Sequence, residues 1–203
     1  MPPQATTERP VVWSPNPGPQ TDLITCPFEE ILYGGAKGGG KSDGIIGDWI
    51  SHFTQDETHR RWARGIIFRK AYPDLEQIVE RSKEILPAAG GRYIEHKKTW
   101  VFGSGARLKF RFVESVKDAK KYQGHEYSFM AFDEVGDIAT PEVINTLRGA
   151  IRSSKGCRPR LLLTGNPQGE GHAWLCRRFI DPVLPYEVQE DTATLPDGKV
   201  IRW

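Results

Sequence analysis

The sequence predicts an α/β fold: a mainly parallel central sheet flanked by helices, with antiparallel strands added to it. Three observations predict it. Residues 35–42 read Gly-Ala-Lys-Gly-Gly-Gly-Lys-Ser, matching G-x-x-x-x-G-K-[ST] with Gly35, Gly40, Lys41 and Ser42 in the required places. The apolar run Ser128–Phe132 ends in two adjacent acids, Asp133 and Glu134. A further apolar run, Arg160–Leu163, leads into Thr164-Gly165-Asn166-Pro167. Each pattern is a short buried strand next to a polar turn, and ligands of open α/β sheets gather where such strands end.

Taken in order, residues 1–20 hold six prolines and little apolar content, so they read as an N-terminal arm ahead of a domain at 21–185. Ile31-Leu32-Tyr33 is a short strand entering the glycine-rich loop. Ile45, Ile46, Trp49, Ile50 and Phe53 then recur at helical spacing, predicting a helix over about 42–55. Gly65–Phe68 is a second core strand ending in Arg69, and Asp74–Leu86 is a helix stopped by Pro87. Tyr93–Glu95, Thr99–Phe102 and Arg107–Val113 alternate around turn residues, as antiparallel strands do. The acid-bearing strand spans 128–133. A helix beginning near Pro141, a strand at 161–164 and a helix over Ala173–Phe179 follow. Residues 186–203 read as the end of the domain or the start of a linker. The run at 65–68 falls between 31–33 and 129–132 in the chain. It is therefore the expected extra strand separating the loop strand from the acid strand, the arrangement of P-loop NTPases with an additional strand and a catalytic Glu.

The chemistry follows from these residue types. Gly35, Ala36, Lys37, Gly38, Gly39, Gly40, Lys41 and Ser42 form a loop whose backbone N–H groups can close on a polyphosphate at a helix N-terminus. Lys41 supplies charge to the β and γ oxygens, and the Ser42 hydroxyl is a hard ligand for Mg²⁺. Asp133 is assigned to the same metal and Glu134 to polarising the attacking water. Thr164 and Asn166 can hydrogen-bond a γ-phosphate and a water, although an Asn-Pro dipeptide also favours a plain turn.

The segments Leu-Tyr-Gly-Gly-Ala-Lys-Gly-Gly-Gly-Lys-Ser (32–42), Phe-Arg-Lys-Ala-Tyr-Pro-Asp-Leu (68–75), Lys-Tyr-Gln-Gly-His-Glu-Tyr-Ser-Phe-Met-Ala-Phe-Asp-Glu (121–134) and Thr-Gly-Asn-Pro (164–167) occur in this order. With them, the chain from about residue 11 resembles the ATPase half of a tailed-phage terminase large subunit. That resemblance implies ATP and Mg²⁺ as cofactors, and double-stranded DNA, a portal protein on a procapsid and a terminase small subunit as partners. It also implies a homo-oligomeric ring and assembly in the host cytoplasm. It assigns Lys37 to the γ-phosphate, although a Lys there lacks the planar fork of Arg. It assigns Gln20 to the adenine edge, with a solvated linker Gln as the alternative. It gives Thr164 and Asn166 a part in coupling hydrolysis to movement.

The chain departs from the pattern at Gln123-Gly124, where many terminases carry an Arg-Gly whose arginine reaches the neighbouring subunit's ATP. Lys120, Lys121, Arg148, Arg152, Arg177 and Arg178 are the candidate replacements. A helicase-like or other DNA-dependent ATPase, and a nucleotide-binding assembly module with little hydrolysis, are the other functional readings. The nuclease domain that normally follows is not expected here, because the late acids Asp181, Glu187, Glu190, Asp191 and Asp197 lack two-metal spacing.

Bulk properties narrow the classes. At 203 residues the chain suits one large domain. A net charge of +2 gives no whole-protein basic field, but cations cluster locally. One cluster is Arg107, Lys109, Arg111, Lys117, Lys120 and Lys121; the other is Arg148, Arg152, Lys155, Arg158 and Arg160. Either can line a DNA backbone or be a solvated face. The three cysteines have no C-x-x-C spacing, and His125 and His172 have no companion ligands, so no disulfide framework or zinc site is expected. No apolar stretch reaches membrane-spanning length.

Overall fold

The strands of this chain line up in an order its sequence does not follow. A computed structural model describes residues 11, 13–35, 38–166, 168–182, 184, 185 and 187, with the backbone of 192–194 and 200–202. Seven strands form the main sheet: β1 (Glu30–Gly34), β2 (Arg64–Arg69), β3 (Gly91–Ile94), β4 (Thr99–Phe102), β5 (Arg107–Phe112), β6 (Phe129–Phe132) and β7 (Arg160–Gly165). Their spatial order is β1-β7-β6-β2-β5-β4-β3. The first five run parallel, and β4 and β3 are added antiparallel. The loop strand and acid strand are therefore separated, as expected. The strand between them is β7, however, and 65–68 lies on the far side of β6. Parallel neighbours need long crossovers, so position in the chain leaves open which edge each strand joins.

Two apolar layers sandwich the sheet. On one face, α2 (Lys41–Thr54) and α3 (Leu75–Ile85) bury Ile45, Trp49, Phe53, Ile78 and Val79 against Ile67, Leu108, Phe110 and Phe129. Trp49 is fully buried and packs on the rings of Phe53, Phe102 and Phe129. On the other face, α4 (Val116–Lys120), α5 (Glu142–Arg148) and α6 (His172–Leu175) cover Ile66, Phe68, Met130, Phe132, Leu161 and Leu163. A separate antiparallel pair, β8 (Thr192–Thr194) and β9 (Val200–Arg202), lies in the 186–203 region.

Two short helices depart from the sequence reading. The arm does not stay extended to residue 20: α1 (Pro19–Thr25) starts after Gly18 at φ 91°. Proline at its first position is preorganised for a helix, and Leu23 is buried. Helix α4 is capped by Ser115, whose hydroxyl accepts from Asp118 N–H. The hairpin strand β3 also begins two residues earlier than the alternation suggests.

Arg160 is a correction. The sequence groups it with surface cations, yet it is buried and its guanidinium is committed internally. It donates to both Asp48 oxygens at 3.0 and 2.9 Å and to the carbonyls of Leu23, Cys26 and Phe28. The pair bolts α2 to β7 and to the end of α1. Desolvation raises the Asp48 carboxyl above its ordinary range, opposed by the Arg160 charge. Next to it, burial and then the Arg160 charge push His52 down to about 4. Ser128 Oγ accepts from Arg64 N–H, so its own proton is free to donate to His52 Nε2 at 3.0 Å, which suits a neutral imidazole.

Candidate nucleotide-binding site

β1 delivers the chain to Gly35, and Gly40 ends the loop at φ 70°, the left-handed N-cap from which α2 starts. Glycine is favoured there by the left-handed backbone, and an added Cβ would lie 2.4 Å from Gln20 Nε2 and displace its amide. Lys41 is 7% exposed, and its Nζ donates to Gly35 O at 3.2 Å and reaches Asn166 Oδ1 at 3.5 Å. Ser42 Oγ lies 3.1 Å from Asp133 Oδ2. Thr164 Oγ1 donates to Asp133 Oδ1 at 2.9 Å. Loop, acid strand and third strand tip thus meet in one place.

Strand order explains the convergence. Because β7 lies between β1 and β6, Thr164 and Asn166 stand between Lys41–Ser42 on one side and Asp133 on the other. Asp133 has no exposed side-chain surface and collects four donors; two come from Arg69, at 2.9 and 2.5 Å. The sequence marks Arg69 only as a cation at a strand tip. Its signal is that position at the end of β2, and its partner is hidden because β2 and β6 pair across more than sixty residues.

Glu134 is half-buried and adopts φ 54°, ψ 52°, one of two described non-glycine residues at positive φ. Such a conformation costs roughly 1–3 kcal/mol and persists only where surroundings impose it. Among the described residues its carboxylate has no hydrogen-bond or ion-pair partner. The turn that holds it packs backbone on backbone against the loop after β7. A Cβ on Gly136 would come within 2.4 Å of Gln168 O and 2.6 Å of Asn166 O, and Gly171 N–H donates to Gly136 O.

The remaining sequence-predicted residues divide clearly. Gln20 is buried, donating to Gly40 O at 2.8 Å and accepting from Asn16 N–H at 2.8 Å, so it braces the loop from α1. Gly38 and Gly39 belong to the described loop, with Gly38 at φ 78°. Ala36, Lys37 and Pro167 lie outside the described residues. Of the candidate cations for a neighbour's nucleotide, Arg148 and Arg178 both pair with Glu30, Arg152 with Glu126, and Lys121 with Asp118. Lys120 and Arg177 are exposed and, among the described residues, have no carboxylate partner. No group of three or more metal-ligating His, Cys, Asp or Glu occurs among the described residues. No helix there is long and apolar enough to cross a membrane.

No protein-family model and no curated protein matches the chain. Solved structures do match. The large terminase of a thermophilic bacteriophage superposes with a TM-score of 0.60 at 18% identity, covering 80% of this chain and 42% of that one. The fold is that of a large terminase ATPase. The same phage terminase in complex with ADP gives a TM-score of 0.58 at 17% identity, over 81% of this chain and 42% of that one. The N-terminal domain of the DNA packaging ATPase from bacteriophage phi29 matches at 0.55 and 16% identity, over 82% of this chain and 87% of that domain. The chain therefore spans under half the length of the thermophilic phage's terminase and most of the isolated phi29 domain. In this chain β7 lies between the loop and acid strands, which is the arrangement that assembles the site described above.

Proposed function

We propose that this chain is an Mg²⁺-dependent ATPase that drives double-stranded viral DNA into a procapsid. It would work as a ring of identical subunits in the host cytoplasm, with a portal protein and a terminase small subunit as partners. The observation that carries the reading is the meeting of Ser42 with Asp133 and of Lys41 with Asn166, residues 91 and 125 positions apart. The large terminase fold, and the ADP bound by one protein that shares it, support the same reading.

The first N–H groups of α2 have no partner within the helix, and its dipole favours an anion there, so the nucleotide's phosphates belong at the 35–42 loop. Lys41 adds a full charge at that point. Ser42 and Asp133 offer two hard oxygens at one position with no thiolate or imidazole beside them, a donor set that fits Mg²⁺. Bound there, Mg²⁺ would supply charge neutralisation at the phosphate oxygens. Arg69 and Thr164 hold the Asp133 carboxylate in place through three hydrogen bonds. Glu134, held out by its backbone and without a partner among the described residues, accepts the proton of the water that attacks the γ-phosphoryl group, releasing ADP and phosphate. Thr164 and Asn166 touch both halves of the site, so they can sense whether the γ-phosphate is present. Gln20 and Lys37 are assigned to adenine and γ-phosphate; for Gln20 this means exchanging its present hydrogen bonds.

Glu134→Ala is expected to lower ATP turnover by roughly 10²–10⁴-fold while nucleotide still binds, and Lys41→Ala to abolish binding of a fluorescent ATP analogue. Unchanged turnover in the first variant would remove Glu134 as the base. Turnover per subunit that rises with protein concentration favours a ring over an assembly module, because a neighbour's cation then completes the site.

A further inference from the structure

The antiparallel extension of β4 and β3, together with β5 to which it pairs, has one covered face and one open face. α3 packs on the first, over Trp100, Phe102, Leu108 and Phe110. Side chains alternate along a strand, so Arg107, Lys109 and Arg111 of β5 project together to the opposite face. The register sets Lys109 beside Thr99 and Arg107 beside Val101 of β4, and Arg92 of β3 across from Val101. Lys97 and Lys98 close the end of the hairpin. These residues line a groove of about 850 Å³ in which no Asp or Glu takes part. Among the described residues none of the six cations has a salt-bridge partner.

We propose that this groove grips the phosphate backbone of double-stranded DNA. Unpaired cations crowded on one sheet face repel one another unless a polyanion neutralises them. Burial, and after it the charges of Arg111, Arg107 and Arg64, push the Lys109 ammonium below its ordinary range. The β5 cations recur every second residue, about 7 Å apart, a ladder suited to a chain of charges rather than a single anion. The groove is distinct from the glycine-rich loop, since β1, which enters residues 35–42, lies four strands from β5, on the order of 19 Å across the sheet. Duplex is favoured over single strand by the floor. It is built of Ile94, Thr99 and Val101, which offer no stacking surface for unpaired bases. Of the exposed rings in the lining, Tyr72 and Phe112 are packed edge-to-face with Lys98 over Tyr72, and His96 belongs to the turn that closes the hairpin. Contacts of this kind carry no sequence information and let a duplex slide.

The inference rests on the packaging reading, and the experiment separates the two. Binding of a fluorescent 30-mer duplex is titrated at several salt concentrations for the unaltered chain, for Arg107→Gln and for the triple variant Arg107→Gln, Lys109→Gln, Arg111→Gln. A fluorescent ATP analogue is titrated into the same samples. Each lost phosphate contact lowers the log–log salt slope by about 0.9, so the single variant should lose about one and the triple variant up to about three, equally for unrelated duplex sequences. Arg107 is exposed, so the single variant keeps the test decisive if the triple one does not fold. Unchanged slopes overturn the groove. So does tighter binding of single-stranded DNA or poly-glutamate than of duplex, with loss of that binding in the variants. Nucleotide binding without duplex binding in the unaltered chain refutes the groove and leaves the ATPase reading standing; loss of both refutes both.

Discussion

Charges in the parallel half of the sheet and charges in its antiparallel extension obey opposite rules. In the parallel half they are matched, and buried or half-buried: Arg160 with Asp48, Arg69 with Asp133, and Arg148 and Arg178 with Glu30. In the extension and along β5 beside it, six cations share a groove without one carboxylate. A charge taken from water must meet its opposite inside the protein, whereas a solvated one can wait for a partner from outside. The first kind builds the scaffold and the second kind marks a surface for use. The geometry behind this is that parallel strands bring their carboxyl ends to one edge, gathering the three strand-tip motifs. An antiparallel extension has no such edge, and offers a face instead.

The strongest way to break the contrast is to unmatch a buried pair. Asp48→Ala leaves the Arg160 guanidinium buried without its counter-ion, and is expected to lower stability by about 3–5 kcal/mol in denaturant unfolding. The groove variants should lose none, so equal losses in both regions would erase the distinction. A second test uses acid. His52 is held neutral, with a folded pKa of about 4 against an ordinary 6.5. The unfolded chain therefore takes up a proton first as pH falls. The stability His52 contributes is complete above about 6.5 and is lost toward about 4, by about 3 kcal/mol in all. Asp48, whose pKa is raised, titrates in the opposite sense and returns part of this at the acid end. Unfolding of the chain and of His52→Gln across this window should show the slope in the first and its reduction in the second.

The mildest change sharpens the picture at the site itself. Gly136→Ala drives a methyl group against the carbonyls of Gln168 and Asn166, for an expected loss of about 1–3 kcal/mol. It should also slow turnover, because the Glu134 turn and the Asn166 loop must separate. Melting temperature and ATP turnover measured together check this; a stable, fully active variant would show that the two loops move independently.

The site was largely legible in the sequence. A glycine-rich loop, two acids after an apolar run and a Thr-Gly-Asn-Pro tip are local patterns, and each lies near where its strand predicted. What escaped was long-range pairing. Arg160 looks like its cationic neighbours because nothing nearby reveals that Asp48, 112 residues away, will face it. Arg69 conceals its partner for the same reason. Helices α1 and α4 are too short for apolar periodicity to show, and depend on a proline, a serine cap and tertiary contact.

By itself, the sequence determined the chemistry available: which strand ends carry glycines, acids and cations, since alternation and helical spacing are properties of neighbours in the chain. Only the tertiary structure decided that β7, not β2, fills the gap between loop and acids. It alone sorted the arginines into buried ties and open hands. Both outcomes depend on which distant segments share a sheet edge, and that choice is made by the packing of the whole core.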